Sequence, residues 1–452
     1  MRLTILGGGG FRVPLVHGAL LDAARDGGRR VTECVLYDTD PRRLAAVARV
    51  LADQAEGVPD APALRVETDL DEALRGADFV FSAIRVGGLA GRAADERVAL
   101  AEGVLGQETV GAGGVAYGLR TVPVVRELAR RIARVAPDAW VINFTNPAGL
   151  VTEAMAETLG DRVIGICDSP VGLGRRLAHL AGVCPDRARI DYAGLNHLGW
   201  ARALWVDGRD LLPALLDDPK TADSFEEGRL FGADWLRALG AVPNEYLHYY
   251  YFNRETVRAY QEVELTRGAF LERQQSAFYA EVGATGAGAP GAAWTAWDRT
   301  RAEREATYMA ENREAAGAGE RAGADLESGG YERVALDLMR AIAGDARATL
   351  ILNVRGAGAL PGLDPEAVVE LPCLVDANGA RPMAAAPLAD HAAALVTAVK
   401  AVERRVLAAA GSGSRGDAVA AFALHPLVDS VAVARRLVDG YTAAHPGLGY
   451  LR

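Results

Sequence analysis

Four consecutive glycines, Gly7-Gly8-Gly9-Gly10, follow the apolar run RLTIL and stand directly before a helical pattern that starts near Arg12. A glycine turn between a strand and a helix lets the backbone approach a ligand and leaves the first helical N–H groups free for an anion. Downstream, VTECVLYDTD, ADFVFSAI, AWVINFTN and RVIGIC read as strands, with helices from about Arg12 to Arg25, up to about Gln54, and near Val122 to Val135. That alternation predicts a parallel sheet with right-handed crossovers. Phe79-Val80-Phe81 and Val141-Ile142 lack strict alternation, as strands covered by helices on both faces do.

After about Gly194 the pattern changes to long helical stretches, the aromatic cluster NEYLHYYYF, the strand-like TLILNVR and EAVVELPCLV, and a helix in HAAALVTAVKAVERRVLAAA. The expectation is α/β: an N-terminal doubly wound, Rossmann-like parallel sheet in residues 1–195 and a C-terminal α+β domain in residues 196–452. Between Val282 and Gly330 an Ala/Gly-rich stretch reads equally as a mobile segment or as Ala-rich helix. The 452 residues, half of them hydrophobic, suffice for a core without staples. Four cysteines are too few and too scattered for a disulfide framework. A net charge of -10 argues against nucleic acid or an anionic membrane as partner. With no apolar run of ~18 residues and no signal-peptide pattern at the N-terminus, the chain is expected to be cytoplasmic.

Several residues carry two readings each. The third glycine of a G-x-G-x-x-G turn is replaced by Arg12. Asp38, closing the second strand, can accept both ribose hydroxyls and repel a 2′-phosphate, which favours NAD over NADP; it can equally cap a helix starting at Pro41. Cys167 ends a strand and His197 follows in GLNHLGW, where thiolate and imidazole could share one divalent ion; a buried cysteine and a satisfied histidine explain them as well. Asn143 and Asn146 end another strand, where open sheets place ligands, and Asn-Pro is also simply a turn. Gln107-Glu108-Thr109 with Gly111 to Gly114 fits either a loop at a binding crevice or capping chemistry. Tyr246, Tyr249, Tyr250 and Tyr251 fit an aromatic core or interface cluster.

Taken together, GGGGFRVP, YDTD, ADFVFSAIRVGG, GVLGQETVGAGG, NFTNPAGLVTEA, GICDSPVG, GLNHLGW, NEYLHYYY, LTRGAFLE, SGGYERVALDLMRAI, the LNV and VVELPC pair, and LHPL resemble glycoside hydrolase family 4. These are the NAD- and manganese-dependent glycosidases, and the 6-phospho-β-glucosidases resemble the chain most. The segments run collinearly over essentially the whole chain. The resemblance implies NAD at Gly7, Gly8, Gly9, Gly10, Phe11, Arg12 and Asp38, and Mn²⁺ or another divalent ion on Cys167 and His197. It implies Tyr246 as general base, Glu108 as the residue that raises that tyrosine's basicity, and Asp168 as proton donor. Arg92, Asn146 and Arg267 match substrate-contacting positions, and arginines suit a sugar phosphate. The substrate implied is a phosphorylated disaccharide or aryl 6-phospho-β-glucoside, cleaved through oxidation at C3, proton removal at C2, elimination, water addition and re-reduction. A homodimer or homotetramer is implied as well, with the second domain serving substrate, metal and oligomerisation.

Three positions depart from the family pattern: Gly10 replaces a common serine, Asp168 stands where many β-specific members have asparagine, and His248 replaces Arg or Gln. Asp168 keeps a 6-phospho-α-glucosidase reading open. A 2-hydroxy-acid dehydrogenase would share the N-terminal half but uses a His/Asp relay without a Cys-His metal pair. An NAD-sensing protein without turnover is the non-enzymatic rival.

Overall fold

The structure, a computed structural model, describes residues 1–25, 30–222, 224–284, 289–309, 312–313, 316–317 and 330–452. Of the Ala/Gly-rich stretch, Ala292–Ala306 is helix; positions 285–288, 310–311, 314–315 and 318–329 lie outside the described residues.

Among the described residues, thirteen strands form one mixed sheet. Six are parallel: β1 (Arg2–Leu6), β2 (Glu33–Tyr37), β3 (Ala63–Glu67), β4 (Phe79–Ser82), β5 (Trp140–Asn143) and β6 (Val163–Gly165), in the spatial order 3-2-1-4-5-6. This is the doubly wound order, and its direction reverses between β1 and β4, where ligands sit beyond the strands' carboxyl ends. The sheet then continues antiparallel past β6 through β11 (Ala348–Arg355), β12 (Val368–Asp376), β7 (Arg189–Leu195), β8 (Leu198–Val206) and β10 (Val242–Pro243). Short β9 (Arg209–Asp210) pairs with β8, and β13 (Gly379–Pro382) with β12.

The central parallel strands are buried on both faces because helices cover both. Leu6, Val80 and Val141 pack with helices Gly111–Val135 and Ala148–Leu159, while Ile5, Leu36, Phe81, Ile142 and Ile164 pack on the other side with helices Val13–Arg25 and Tyr331–Gly344. Sequence reading missed β3. ALRVE mixes charged and apolar residues because it is the sheet's edge and only partly buried.

A second difference decides where the site lies. The helix read as starting near Val122 starts at Gly111, so the four-residue Gly/Ala run is its first turn. A Cβ on Gly113 would lie 2.3 Å from the Gln107 carbonyl oxygen, and one on Gly114 2.6 Å from the Thr109 backbone. Only glycine lets this turn sit down on the 106–109 loop and fix it.

Candidate active site

The glycine turn is held from below. Gly7 and Gly8 both donate backbone N–H bonds to the Tyr37 carbonyl, at 2.9 and 2.8 Å, and Gly7 sits at φ +84°. A Cβ there would meet the Ala83 carbonyl oxygen at 2.5 Å. Asp38 accepts the Gly9 N–H at 2.9 Å and the Asp40 N–H at 3.0 Å, one on each oxygen, which ties the end of β2 to the turn. The helix starting at Pro41 is capped by Asp40, whose carboxylate receives the Arg42 and Arg43 N–H groups; the capping alternative for Asp38 therefore belongs to its neighbour. Tyr279 closes over the turn, donating its hydroxyl to the Gly9 carbonyl at 2.7 Å.

Two cavities open at the carboxyl edge of the parallel strands. One, about 150 Å³, is lined by Gly7, Gly10, Phe11, Arg12, Arg85 and Arg92 among others. The second, about 380 Å³, holds Cys167, Asp168, His197, Glu245, Tyr246 and Tyr308. Arg12, Glu108, Phe144, Asn146, Arg304 and Tyr331 line both, so the two share a wall.

Each chemical group arrives there for a local reason. Cys167 and Asp168 follow β6 and lead into helix Ser169–Leu180. His197 sits in the two-residue turn of the β7–β8 hairpin, where Leu195 pairs with Leu198, and adopts φ +61°. Tyr246 follows β10, which pairs with β8; the Asn244 side chain accepts its N–H at 3.0 Å and so starts the turn. Hairpin and turn thus deliver the two rings to one place, stacked with centroids 3.6 Å apart.

Electrostatics divides the groups. Burial pushes the Glu108 carboxyl up, but the Arg85 and Arg92 guanidiniums at 2.6 and 3.2 Å outweigh it and hold it well below the usual carboxylate range. Burial lowers His197 to about 4, so its imidazole is neutral near pH 7. Burial first, then Glu370 and Asp168, push the Cys167 thiol well up. Burial raises Tyr246 well above its ordinary value, and the Tyr308 hydroxyl donates to the Tyr246 oxygen at 3.1 Å.

Two residues expected at ligands have other neighbours here. Asn143 spends its side-chain amide on Thr145, Ala148 and Thr152, whereas Asn146 lines both cavities. Arg267 lines neither; it donates to Thr307 Oγ1 at 2.6 Å and to the Arg304 carbonyl at 2.8 Å, holding the helix end that carries Arg304. Arg92 donates to Glu96 at 3.0 Å, and Glu96 receives the Gly268 N–H at 2.7 Å, so this carboxylate docks the 267–268 segment onto helix Gly88–Ala101. Of Tyr246, Tyr249, Tyr250 and Tyr251, only Tyr246 lines the larger cavity.

Sequence reading missed Arg304, Glu245, Tyr308 and Tyr331. Arg304, lowered to about 9 by burial and by the Arg12 and Arg267 guanidiniums, lies in a stretch whose composition gave no motif. Glu245 was adjacent to Tyr246 in NEYL and could have been found there. Its carboxyl accepts the Ser169 hydroxyl at 2.7 Å, and burial beside Glu227 raises it.

Residues 2–183 match the model of family 4 glycosyl hydrolases and residues 192–428 that of the family 4 glycosyl hydrolase C-terminal domain. The "Probable 6-phospho-beta-glucosidase" of Bacillus subtilis (strain 168) is 31% identical over 98% of this chain and 96% of its own length. The 6-phospho-alpha-glucosidase 1 of Lacticaseibacillus paracasei is 32% identical over 98% of this chain and 97% of its own. Among solved structures, the Thermotoga maritima 6-phospho-beta glucosidase with NAD and glucose-6-phosphate superposes with a TM-score of 0.81 at 25% identity, covering 98% of each chain. A 6-phospho-alpha-glucosidase from gut microorganisms, in complex with NAD and Mn²⁺, gives 0.80 at 25% identity over 99% of this chain and 98% of that one.

Proposed function

The chain belongs to glycosyl hydrolase family 4, and from that premise we propose that it hydrolyses 6-phospho-β-glucosides to glucose 6-phosphate and an aglycone, using NAD and a divalent metal. The observation that carries this reading is the wall shared by the two cavities, which sets the glycine turn next to Cys167, His197 and Tyr246. Residues 1–195 would serve the nucleotide and residues 196–452 the substrate, metal and assembly, as a homodimer or homotetramer.

Both cofactors fit the residues present. The helix after the glycine turn carries no acidic residue in its first turn and Arg12 lines the cavity beside it, which suits a pyrophosphate. Cys167 and His197 offer a sulfur and a neutral nitrogen, a donor set that first-row divalent ions accept. Among the described residues no three His, Cys, Asp or Glu side chains form a metal group, so oxygens of substrate or water would complete the shell. NAD held at the glycine turn would supply a reversible hydride acceptor for the sugar. A divalent ion held by Cys167 and His197 would supply Lewis acidity toward the bound sugar and would favour the thiolate form of Cys167.

The chain's own side chains do the rest. Tyr246 takes the C2 proton, made acidic by the C3 ketone, and Tyr308 steadies the resulting phenolate by donating to it. Glu108, kept ionised by two arginines, adds negative potential that strengthens the base. Asp168 gives a proton to the glycosidic oxygen as it leaves. Arg92, Asn146 and, through Arg304, Arg267 hold the sugar phosphate. Asp168, carboxylic where many β-specific relatives carry an amide, also supports the α-anomer as substrate. A chromogenic panel of 6-phosphoglycosides, α and β, gluco and galacto, with and without NAD⁺ and Mn²⁺, tests both readings. Comparable turnover of unphosphorylated sugar would overturn the phosphate assignment, and preference for the α-anomer would overturn the β.

A further inference from the structure

We infer that Gln107 and Thr109 form a hydrogen-bond relay that fixes His197 in the Nδ1–H tautomer, so that its Nε2 lone pair is the one offered to the metal. The inference rests on the metal reading above and extends it to residues that touch neither ion nor substrate. Gln107 Oε1 receives the backbone N–H groups of Thr109 at 2.6 Å and Val110 at 2.9 Å. Two fixed donors aimed at one atom identify it as the amide oxygen rather than the nitrogen. The same oxygen accepts the Thr109 hydroxyl at 2.9 Å. A threonine hydroxyl has one proton, and this one is spent.

Thr109 Oγ1 also lies 2.9 Å from His197 Nδ1, and toward that nitrogen it can present only a lone pair. Nδ1 must therefore carry the hydrogen and donate it. A metal-binding imidazole is neutral and has one ring proton, so Nε2 is left bare. No described residue hydrogen-bonds Nε2. The relay is held rigidly from outside, since Gly113 packs on the Gln107 backbone and Gly114 on that of Thr109. Between the two, Glu108 turns the other way to Arg85 and Arg92. One tripeptide thus serves the histidine with its outer side chains and the cavity charge with its middle one.

The test uses the full chain, labelled with ¹⁵N-histidine and metal-free, with the His197 signals assigned by their loss in His197→Gln. Long-range ¹H–¹⁵N spectra should show the wild-type ring as Nδ1–H. Thr109→Val removes the acceptor, so His197 should populate both tautomers and Mn²⁺ Kd should rise by ~10–100-fold, the usual loss for an outer-shell partner. NAD⁺ affinity should not change, and Thr109→Ser should restore both tautomer and Kd. Gln107→Ala frees the threonine proton to donate to Nδ1, and should shift the ring toward Nε2–H even if Thr109→Val folds poorly. An unchanged tautomer in both Thr109→Val and Gln107→Ala, with unchanged Mn²⁺ Kd, would overturn the relay. Wild-type Mn²⁺ affinity in His197→Gln would instead overturn the metal reading, while the metal-free spectra still judge the relay by themselves.

Discussion

The phenol ring of Tyr246 lies flat on the imidazole of His197, the planes parallel and the centroids 3.6 Å apart. The proposed base and the proposed metal ligand are therefore one packed unit, set by the pairing of β8 with both β7 and β10. Positive charge brought to the histidine acts at once on the phenol above it, and the phenol needs that help because burial raises it.

Tyr246→Phe keeps the stack and removes only the hydroxyl. Its kcat should fall by ~10²–10⁴, the usual contribution of a general base, while NAD⁺ affinity stays near wild type. Steady-state kinetics with a fluorescence titration of NAD⁺ read both quantities. Equal kcat would remove Tyr246 from the base role.

Arg304→Gln should weaken binding of the phosphorylated substrate. The guanidinium lines both cavities beside Arg12, and burial first, then the Arg12 and Arg267 guanidiniums, lower it to about 9, a penalty that an anion bound there relieves. Loss of a charged hydrogen bond is worth ~1.5–3 kcal/mol, so KM should rise about ten- to hundredfold with a smaller change in kcat. An unchanged KM for the phosphoglycoside would place the phosphate elsewhere.

Burial pushes Glu370 up to about 7, although Tyr192, Asn196 and Asn353 all donate to it. The native protein then holds a proton between about pH 4.3 and 7 that the unfolded chain releases. Its stabilising contribution is full below the unfolded value and is lost as pH rises through the folded one, by up to about 1.4 kcal/mol per pH unit. Glu370→Gln keeps the shape and loses the titration. Denaturant unfolding of the metal-free proteins should show the variant gaining on wild type from about pH 4.5 to 7 and no further above. A constant difference across that window would show that the carboxyl does not titrate there.

Gly113→Ala should destabilise by ~1–3 kcal/mol, the cost of overpacking, because the new methyl meets two carbonyl oxygens at 2.3 and 2.4 Å. The displaced loop carries Glu108, so activity should fall by more than the loss of folded protein explains. Unfolding midpoints and specific activity per folded molecule separate the two effects.

The parallel half of the fold was legible because its buried strands are short apolar runs between helices, and only the half-exposed edge strand β3 escaped. Of the antiparallel half, only β11 and β12 were legible as strands, in TLILNVR and EAVVELPCLV, and not as a continuation of the same sheet; β7, β8, β9, β10 and β13 were not read. Pairing between residues as distant as Asn353 and Gly165 leaves no local pattern. Cys167, His197, Tyr246 and Glu108 were named through motifs, and all four line one cavity. Arg304 and Tyr308 were not, because both come from segments without a motif that tertiary packing alone brings to the site; Tyr331 lies inside SGGYERVALDLMRAI but was given no role.

In the proposed mechanism the glycosidic bond breaks only after C3 oxidation and C2 deprotonation, and turnover in deuterated water tests that order. Direct displacement at C1 never loosens the C2 hydrogen. With the favoured 6-phosphoglucoside, NAD⁺ and Mn²⁺, the released glucose 6-phosphate should carry deuterium at C2, and C2- or C3-deuterated substrate should react more slowly. Product without deuterium at C2, together with no isotope effect from either labelled substrate, would contradict this redox mechanism.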